Sequence, residues 1–76
     1  MIIKIFGKLT DLFEATEYKA SDDIKDTREL KSQLEESFPE LKGMTYFIVV
    51  NGKKADQNIN LPKDVEIALL PPYSGG

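Results

Sequence analysis

The sequence contains neither cysteine nor histidine among its 76 residues, and these two absences exclude several kinds of chemistry. Without cysteine there is no disulfide scaffold and no thiol nucleophile. Without histidine, the usual zinc ligand sets and the Ser-His and Cys-His nucleophile pairs are also excluded. We therefore expect a protein that is not an enzyme on its own and that binds neither a metal nor a cofactor.

Long hydrophobic runs are also missing. The longest apolar run covers residues 46–50, far short of the roughly 20 residues that a membrane-spanning helix needs. No signal peptide is recognisable, and the lack of cysteine fits a reducing compartment, so we expect a cytoplasmic protein with no membrane partner. A chain this short forms one domain and buries only about 60% of its unfolded surface, which makes a deep catalytic pocket hard to build.

The net charge of −3 is unevenly distributed along the chain. Residues 11–40 hold ten acidic and four basic side chains, a local balance of −6, whereas the remainder holds three acidic side chains and six lysines, a balance of +3. Nucleic-acid binding needs clustered lysine and arginine, so no nucleic-acid partner is expected. The acidic segment is either a surface for a basic partner or the solvated face of a helix.

Hydrophobic periodicity predicts the order strand, strand, helix, strand, short strand, strand. The predicted strands cover residues 2–6, 16–20, 44–50, part of 53–60, and 65–70, while residues 9–15 are predicted to be a connection. Asn51-Gly52 is typical of a tight hairpin turn. One sheet with one helix packed across it is the simplest way to bury the apolar faces of these elements.

The helix has recognisable ends. Asp26 or Thr27 can accept the free amide hydrogens of the first turn, and Glu29 lies three residues after Asp26, as in a capping box. Pro39 ends the helix, because a residue that precedes proline avoids helical geometry. The apolar stripe that faces the sheet consists of Leu30, Leu34 and Phe38, whereas Glu35 and Glu36 are predicted to face water.

Alternation in the first and last strands predicts an exposed apolar patch. Lys4 and Glu66 mark the solvent sides of these strands, so the residues at every second position from them also face outward. If the two strands are neighbours, the patch consists of Phe6, Ala68 and Leu70. An exposed patch of this kind marks a partner surface. For Phe6 the alternative is that residues 8–13 cover it.

The C-terminal segment carries the most functional information. Pro71 and Pro72 favour a stiff, extended backbone, and the final Gly75-Gly76 has no side chain that would keep it out of a narrow site. The segment could reach roughly 20 Å from the folded body, at about 3.3 Å per residue. We predict a domain over residues 1–70 and a tail over residues 71–76 that presents an α-carboxylate. The alternative is a disordered end, as most chain ends are.

These motifs resemble one known family. Residues 65–76, with the ending Pro-Pro-x-Ser-Gly-Gly, are similar to the small, sulfur-carrier subunit of molybdopterin synthase, and residues 3–9, 27–30 and 50–52 also resemble it. The resemblance implies an α+β, ubiquitin-like β-grasp fold, with a mixed four- to five-stranded sheet, one main helix packed across it and an extended C-terminal tail. Asp64-Val65 stands where members often carry Gly-Asp, and Tyr73 is bulkier than the small aliphatic residue common at its position.

The resemblance also implies a mechanism. An activating enzyme would use ATP to adenylate the carboxylate of Gly76, and a sulfur donor protein would then convert it to a thiocarboxylate. The tail would enter the large, catalytic subunit of molybdopterin synthase and give its sulfur to a pyranopterin precursor, forming the dithiolene. In this mechanism Phe6, Ala68 and Leu70 form the docking patch. The tail residues that accompany Gly76 are Pro71, Pro72, Tyr73, Ser74 and Gly75.

Three other functions remain open at this stage. A sulfur carrier of thiamine biosynthesis also ends in Gly-Gly, although that family usually lacks the two prolines. A ubiquitin-like modifier uses the same activated terminus to form an amide with a lysine of another protein. A plain interaction domain with an inert tail would need neither step.

Overall fold

A computed structural model describes residues 1–72, which form a five-stranded mixed sheet with one main helix packed across it. The strands are β1 (Ile2–Ile5), β2 (Glu17–Lys19), β3 (Phe47–Val50), β4 (Lys53–Lys54) and β5 (Ile67–Leu70). The helices are α1 (Leu9–Phe13) and α2 (Thr27–Ser37), and a 3₁₀ turn covers Pro39–Gly43. The strand order is β2-β1-β5-β3-β4. This architecture is the predicted α+β, β-grasp fold.

Strand β5 lies in the middle of the sheet. It pairs in parallel with β1 and antiparallel with β3, so the predicted adjacency of the first and last strands is confirmed. Ile67 and Leu69 are buried against the helix side, where they join Ile3 and Ile5 in the core. The chain leaves this central strand at Leu70, directly before the two prolines.

Helix α2 begins and ends where the sequence predicts. The carboxylate of Asp26 accepts a hydrogen bond from the backbone N–H of Glu29 at 2.8 Å. The Glu29 carboxylate accepts from the N–H of Lys25 at 3.2 Å, one residue before the position that a standard capping box uses. Leu30 and Leu34 are completely buried, and the helix ends at Ser37, before the proline.

The turn between β3 and β4 follows from its sequence. Asn51 has φ of 50° and Gly52 has φ of 82°, so both central residues adopt the left-handed conformation of a type I′ hairpin turn. The pairing of Val50 with Lys53 closes the turn. The predicted hairpin and the predicted short edge strand are therefore confirmed.

Three local predictions were wrong. Residues 9–15 were predicted to be a connection with apolar anchoring by Leu12 and Phe13; Phe13 is buried, but the helix α1 was missed, and it brings Leu9 into the core from the same face as Phe13. The strand predicted over residues 44–50 begins only at Phe47, since the 3₁₀ turn and its exit precede it. Glu35, predicted to face water, is half-buried and accepts a hydrogen bond from the hydroxyl of Tyr46 at 2.7 Å.

Candidate functional site

A second apolar surface lies on the side of the sheet opposite α2. We call it the outer apolar face, and it consists of Phe6, Phe47, Val49, Ala68 and Leu70. Phe6 is 44% exposed, and the other four side chains are half-buried. Because β5 contributes its outward residues to this surface, the face lies at the root of the C-terminal tail.

The strand register places four members of the outer apolar face in two cross-strand pairs. Phe47 lies opposite Leu70, and Val49 lies opposite Ala68, in the antiparallel pair of β3 and β5. Ala68 also lies beside Lys4 in the parallel pair of β1 and β5. Side chains at such opposed positions contact each other, so the surface is built on paired backbone rather than on loops.

The structure brings together the three residues predicted to form the patch. Phe6, Ala68 and Leu70 lie on the same side of the sheet, at the ends of β1 and β5 nearest the tail. The alternative in which residues 8–13 cover Phe6 is wrong, because Leu9 and Phe13 turn into the core and leave its ring exposed. That these residues bind a partner remains a prediction.

Two members of the outer apolar face were missed from the sequence. Phe47 and Val49 alternate with the buried Ile48 and Val50, so their side chains point away from α2. The signal was present in the uninterrupted apolar run of residues 46–50. When every residue of a strand is apolar and only one face of its sheet is covered, alternate residues enter the core and the others face outward.

Charged side chains of both signs surround the outer apolar face. The ammonium of Lys54 lies 3.8 Å from the centre of the Phe47 ring, a cation–π contact. An open groove of about 590 Å³ runs beside Phe6 and Ala68, and the charged residues along it include Lys4, Lys63, Asp64 and Glu66. A partner that docks here would need an apolar centre and a polar rim, which is the usual composition of a protein interface.

The tail begins against the turn that follows β1. Pro71 is half-buried beside Gly7, and Pro72 is exposed. The remaining predicted tail residues, Tyr73, Ser74, Gly75 and Gly76, lie outside the described residues. The described part of the tail therefore leaves the fold beside the outer apolar face.

The shifted pKa values belong to groups that are not members of the outer apolar face. A hydrogen bond from the N-terminal ammonium lowers the pKa of Asp22, and the N–H of Glu29 lowers the pKa of Asp26. Burial, followed by the hydrogen bond to Glu35, raises the pKa of Tyr46 above its ordinary value. Ion pairing, helix capping and burial account for these shifts.

No group of three or more potential metal ligands comes together among residues 1–72. Within the same residues, no helix has the length and apolar character needed to cross a membrane.

Comparison with known proteins identifies a family and confirms a fold. The ThiS family model matches residues 3–76, whereas no curated protein matches the chain. Among solved structures, the chain is similar to SAMP1 from Haloferax volcanii, with 21% identity, a TM-score of 0.70, and coverage of 99% of this chain and 97% of that chain. It is also similar to the small archaeal modifier protein 1 from Methanosarcina acetivorans, with 23% identity, a TM-score of 0.76, and coverage of 99% and 94%. These two structures confirm the predicted fold.

Proposed function

Because this chain belongs to the ThiS family, whose members are ubiquitin-like sulfur carriers, we propose that it carries sulfur on Gly76 for molybdopterin synthase. The carboxylate of Gly76 is adenylated by an activating enzyme with ATP and is then converted to a thiocarboxylate. The large subunit of the synthase receives the tail, and the sulfur passes to a pyranopterin precursor. The Pro-Pro-x-Ser-Gly-Gly ending supports this pathway over others.

The observation that carries the proposal is the position of β5. The strand before the tail is held by β1 on one side and β3 on the other, so the tail starts from one of the most firmly fixed parts of the sheet. The outer apolar face lies at the same place. A partner can therefore bind the folded body and receive the tail in one docking event.

Chemistry at Gly76 needs no side chain of this protein. A carboxylate is a poor electrophile, whereas the acyl adenylate is a mixed anhydride with a good leaving group, and a sulfur nucleophile displaces AMP from it. The activating enzyme binds ATP and supplies the residues that catalyse adenylation, and the sulfur donor protein supplies the nucleophile that displaces AMP. Gly75 keeps the end of the tail narrow, and Pro71 and Pro72 limit its freedom and so lower the entropy lost on entering a channel.

A second candidate function is protein modification. The two similar structures carry the name small archaeal modifier protein, and a modifier would use the same adenylated Gly76 to form an amide with a lysine. A sulfur carrier for thiamine biosynthesis is a third candidate within the same family. An interaction domain with an inert tail is the candidate from another class.

The test is the intact mass of the chain, purified from its native cell with an untagged C-terminus. We expect a species in which sulfur replaces one oxygen, and we expect the chain lacking Gly76 to show none. A single unmodified mass after incubation with the activating enzyme, ATP and a sulfur donor would reject the carrier function. Peptides in which a lysine of another protein carries the C-terminal Gly76 would instead establish the modifier.

The same mass assay tests whether the C-terminal end of the tail has to be narrow. Gly75→Ala adds one methyl group next to the reacting carboxylate and should slow activation and sulfur transfer. Ser74→Ala is the matched control, because it changes the neighbouring residue without adding bulk. Equal rates for the two variants would reject a tight channel around Gly75.

To assign the pathway, the thiocarboxylated chain is offered to two recipients. One is the large subunit of molybdopterin synthase with the pyranopterin precursor, and the other is the thiazole-forming enzyme of thiamine biosynthesis. Sulfur transfer to the first alone supports the proposal. Transfer to the second alone rejects the molybdopterin assignment but keeps the carrier function.

A further inference from the structure

Gly7 and Pro71 make an unusually close contact at the root of the tail. A Cβ atom placed on Gly7 would lie 2.7 Å from Cγ of Pro71 and 3.2 Å from its Cδ. The first distance is too short for any real side chain, so the proline ring occupies space that only glycine leaves free. Gly7 also has φ of +60°, a conformation that favours glycine in any case.

Gly7 is itself held in place from both directions along the chain. Its carbonyl accepts hydrogen bonds from the backbone N–H of Thr10 at 3.1 Å and from the Thr10 hydroxyl at 2.7 Å. The preceding residue, Phe6, donates its N–H to the carbonyl of Leu69 at 3.2 Å. The ring of Pro71 therefore rests on backbone that is fixed both to α1 and to β5.

We propose that Gly7 is a positioning residue that seats the ring of Pro71 and so sets the direction in which the tail leaves the fold. The proposal rests on the proposed function only for the purpose of this direction, which is to present Gly76 to the activating enzyme. A proline fixes its own φ and restricts the residue before it, so Pro71-Pro72 is a stiff pair. A change of angle at the first ring therefore also turns Pro72, the next residue of the tail.

Gly52 provides a matched control for Gly7. It also has a positive φ, +82°, but a Cβ placed there would have nothing within 4 Å. Gly7→Ala and Gly52→Ala therefore impose similar backbone strain, and only Gly7→Ala drives a methyl group into Pro71. A difference between the two variants in tail direction reports the contact and not the strain.

Tail direction is measured with a nitroxide spin label on Ser74→Cys, which is a unique attachment site because the chain has no cysteine. The label attenuates the NMR signals of the amides that it approaches. We expect Gly7→Ala to move the attenuation to a different set of amides and Gly52→Ala to leave it unchanged. An unchanged pattern in folded Gly7→Ala would overturn the proposal.

A double variant tests whether the proline ring is the cause. Replacing Pro71 with alanine removes Cγ and Cδ, and the Cβ that remains lies 3.8 Å from the position of a Cβ on residue 7, an ordinary contact. We expect the attenuation pattern of Gly7→Ala/Pro71→Ala to return to that of Pro71→Ala alone. A double variant that keeps the pattern of Gly7→Ala would show that strain at residue 7, not the contact, moves the tail.

Activation by the activating enzyme and ATP gives a functional readout on unlabelled chains. We expect Gly7→Ala to lower kcat/KM for adenylation by about tenfold or more, because small misplacement of a reacting group is costly. Gly52→Ala should stay close to the unsubstituted chain. Equal values of kcat/KM for the two variants would show that the activating enzyme does not depend on the contact between Gly7 and Pro71.

Failure of the proposed function would give a different result from failure of the positioning role of Gly7. If even the unsubstituted chain is never adenylated, the function is wrong, while the label patterns still decide whether Gly7 seats the tail. If Gly7→Ala does not fold, Pro71→Ala decides alone. Loss of the Pro71 ring should spread the attenuation over more amides. An unchanged attenuation pattern in Pro71→Ala would overturn the positioning role of Gly7.

Discussion

The two faces of the sheet are both apolar, but they differ in what covers them. On the inner face Ile67 and Leu69 are buried beneath α2, where Leu30 and Leu34 are inaccessible to solvent. On the outer apolar face no helix among the described residues packs over the sheet, so Phe6 is 44% exposed and the other four side chains are only half-buried. One strand, β5, contributes to both faces through alternate residues.

The difference separates residues that hold the fold from residues that are available for binding. Burying a leucine removes its whole side chain from water on folding, so the inner residues contribute most to stability. The outer residues keep part of their apolar surface in water until a partner covers it. Substitutions on the two faces should therefore affect different measurements.

The largest expected effect is on the free energy of unfolding, and it is tested by substituting two neighbouring leucines whose side chains point to opposite faces. Leu69→Ala removes a completely buried side chain and should lower the free energy of unfolding by about 2–5 kcal/mol. Leu70→Ala alters a half-buried one and should cost about 1 kcal/mol. Urea denaturation measures both. Similar losses for the two variants would remove the distinction between the faces.

Next in size is a change confined to the outer apolar face. Ala68→Asp puts a carboxylate into the outer apolar face, between Val49 and Lys4, and should weaken binding to the activating enzyme about tenfold, since a charge buried at an interface must be desolvated even when a lysine lies beside it. Ala68→Ser is the control of similar size, with a much smaller expected effect. Isothermal titration gives the Kd values. Unchanged affinity for Ala68→Asp would show that partners bind elsewhere.

On the helix side, a pH effect is expected at Asp26. The hydrogen bond from the Glu29 N–H holds the folded-state pKa below the ordinary value of 3.8, so the carboxylate stabilises the fold fully above that value. This stabilisation is lost as pH falls through the lower, folded-state pKa. The difference in urea midpoint between the unsubstituted chain and Asp26→Asn should thus shrink in acid. A difference independent of pH would contradict the lowered pKa of Asp26, since asparagine caps a helix about as well as aspartate does. Affinity for the activating enzyme should not change.

The smallest effect is expected at Tyr46. Tyr46→Phe removes the hydrogen bond to Glu35 and should cost about 1 kcal/mol, because the pair is only half-buried. Burial raises the pKa of Tyr46, so its protonated hydroxyl stabilises the fold below the ordinary pKa of 10.0, and this stabilisation declines above it. An ultraviolet titration of the folded chain should show a late-ionising tyrosine that is missing from Tyr46→Phe. Ionisation of all tyrosines together near pH 10 would contradict this assignment.

Most of the fold could be predicted because local signals agree with tertiary packing. Asp26 and Pro39 mark the limits of α2, and Asn51-Gly52 marks the hairpin, through backbone preferences that depend little on context. Helix α1 was missed because it has only five residues and is stabilised by the burial of Leu9 and Phe13, not by its own propensity.

The candidate site was only partly predictable. Phe6, Ala68 and Leu70 could be placed on one face from alternation alone, once β1 and β5 were assumed to be neighbours. The outward side of Phe47 and Val49 was signalled by the apolar run of residues 46–50, but their positions opposite Leu70 and Ala68 depend on the register between β3 and β5, which no pattern in the sequence specifies. The contact of Gly7 with Pro71 joins residues far apart in the chain, and a glycine after a strand has many simpler explanations.

The parallel pairing of β1 and β5 has a mechanical consequence. β1 begins next to the N-terminus and β5 ends at the tail, so a pull between the two ends of the chain draws the strands past each other lengthwise. The hydrogen bonds that join them then bear the load together instead of opening one after another. A force applied to the tail while the N-terminus is held must therefore break these hydrogen bonds together, so the domain resists unfolding from its C-terminal end.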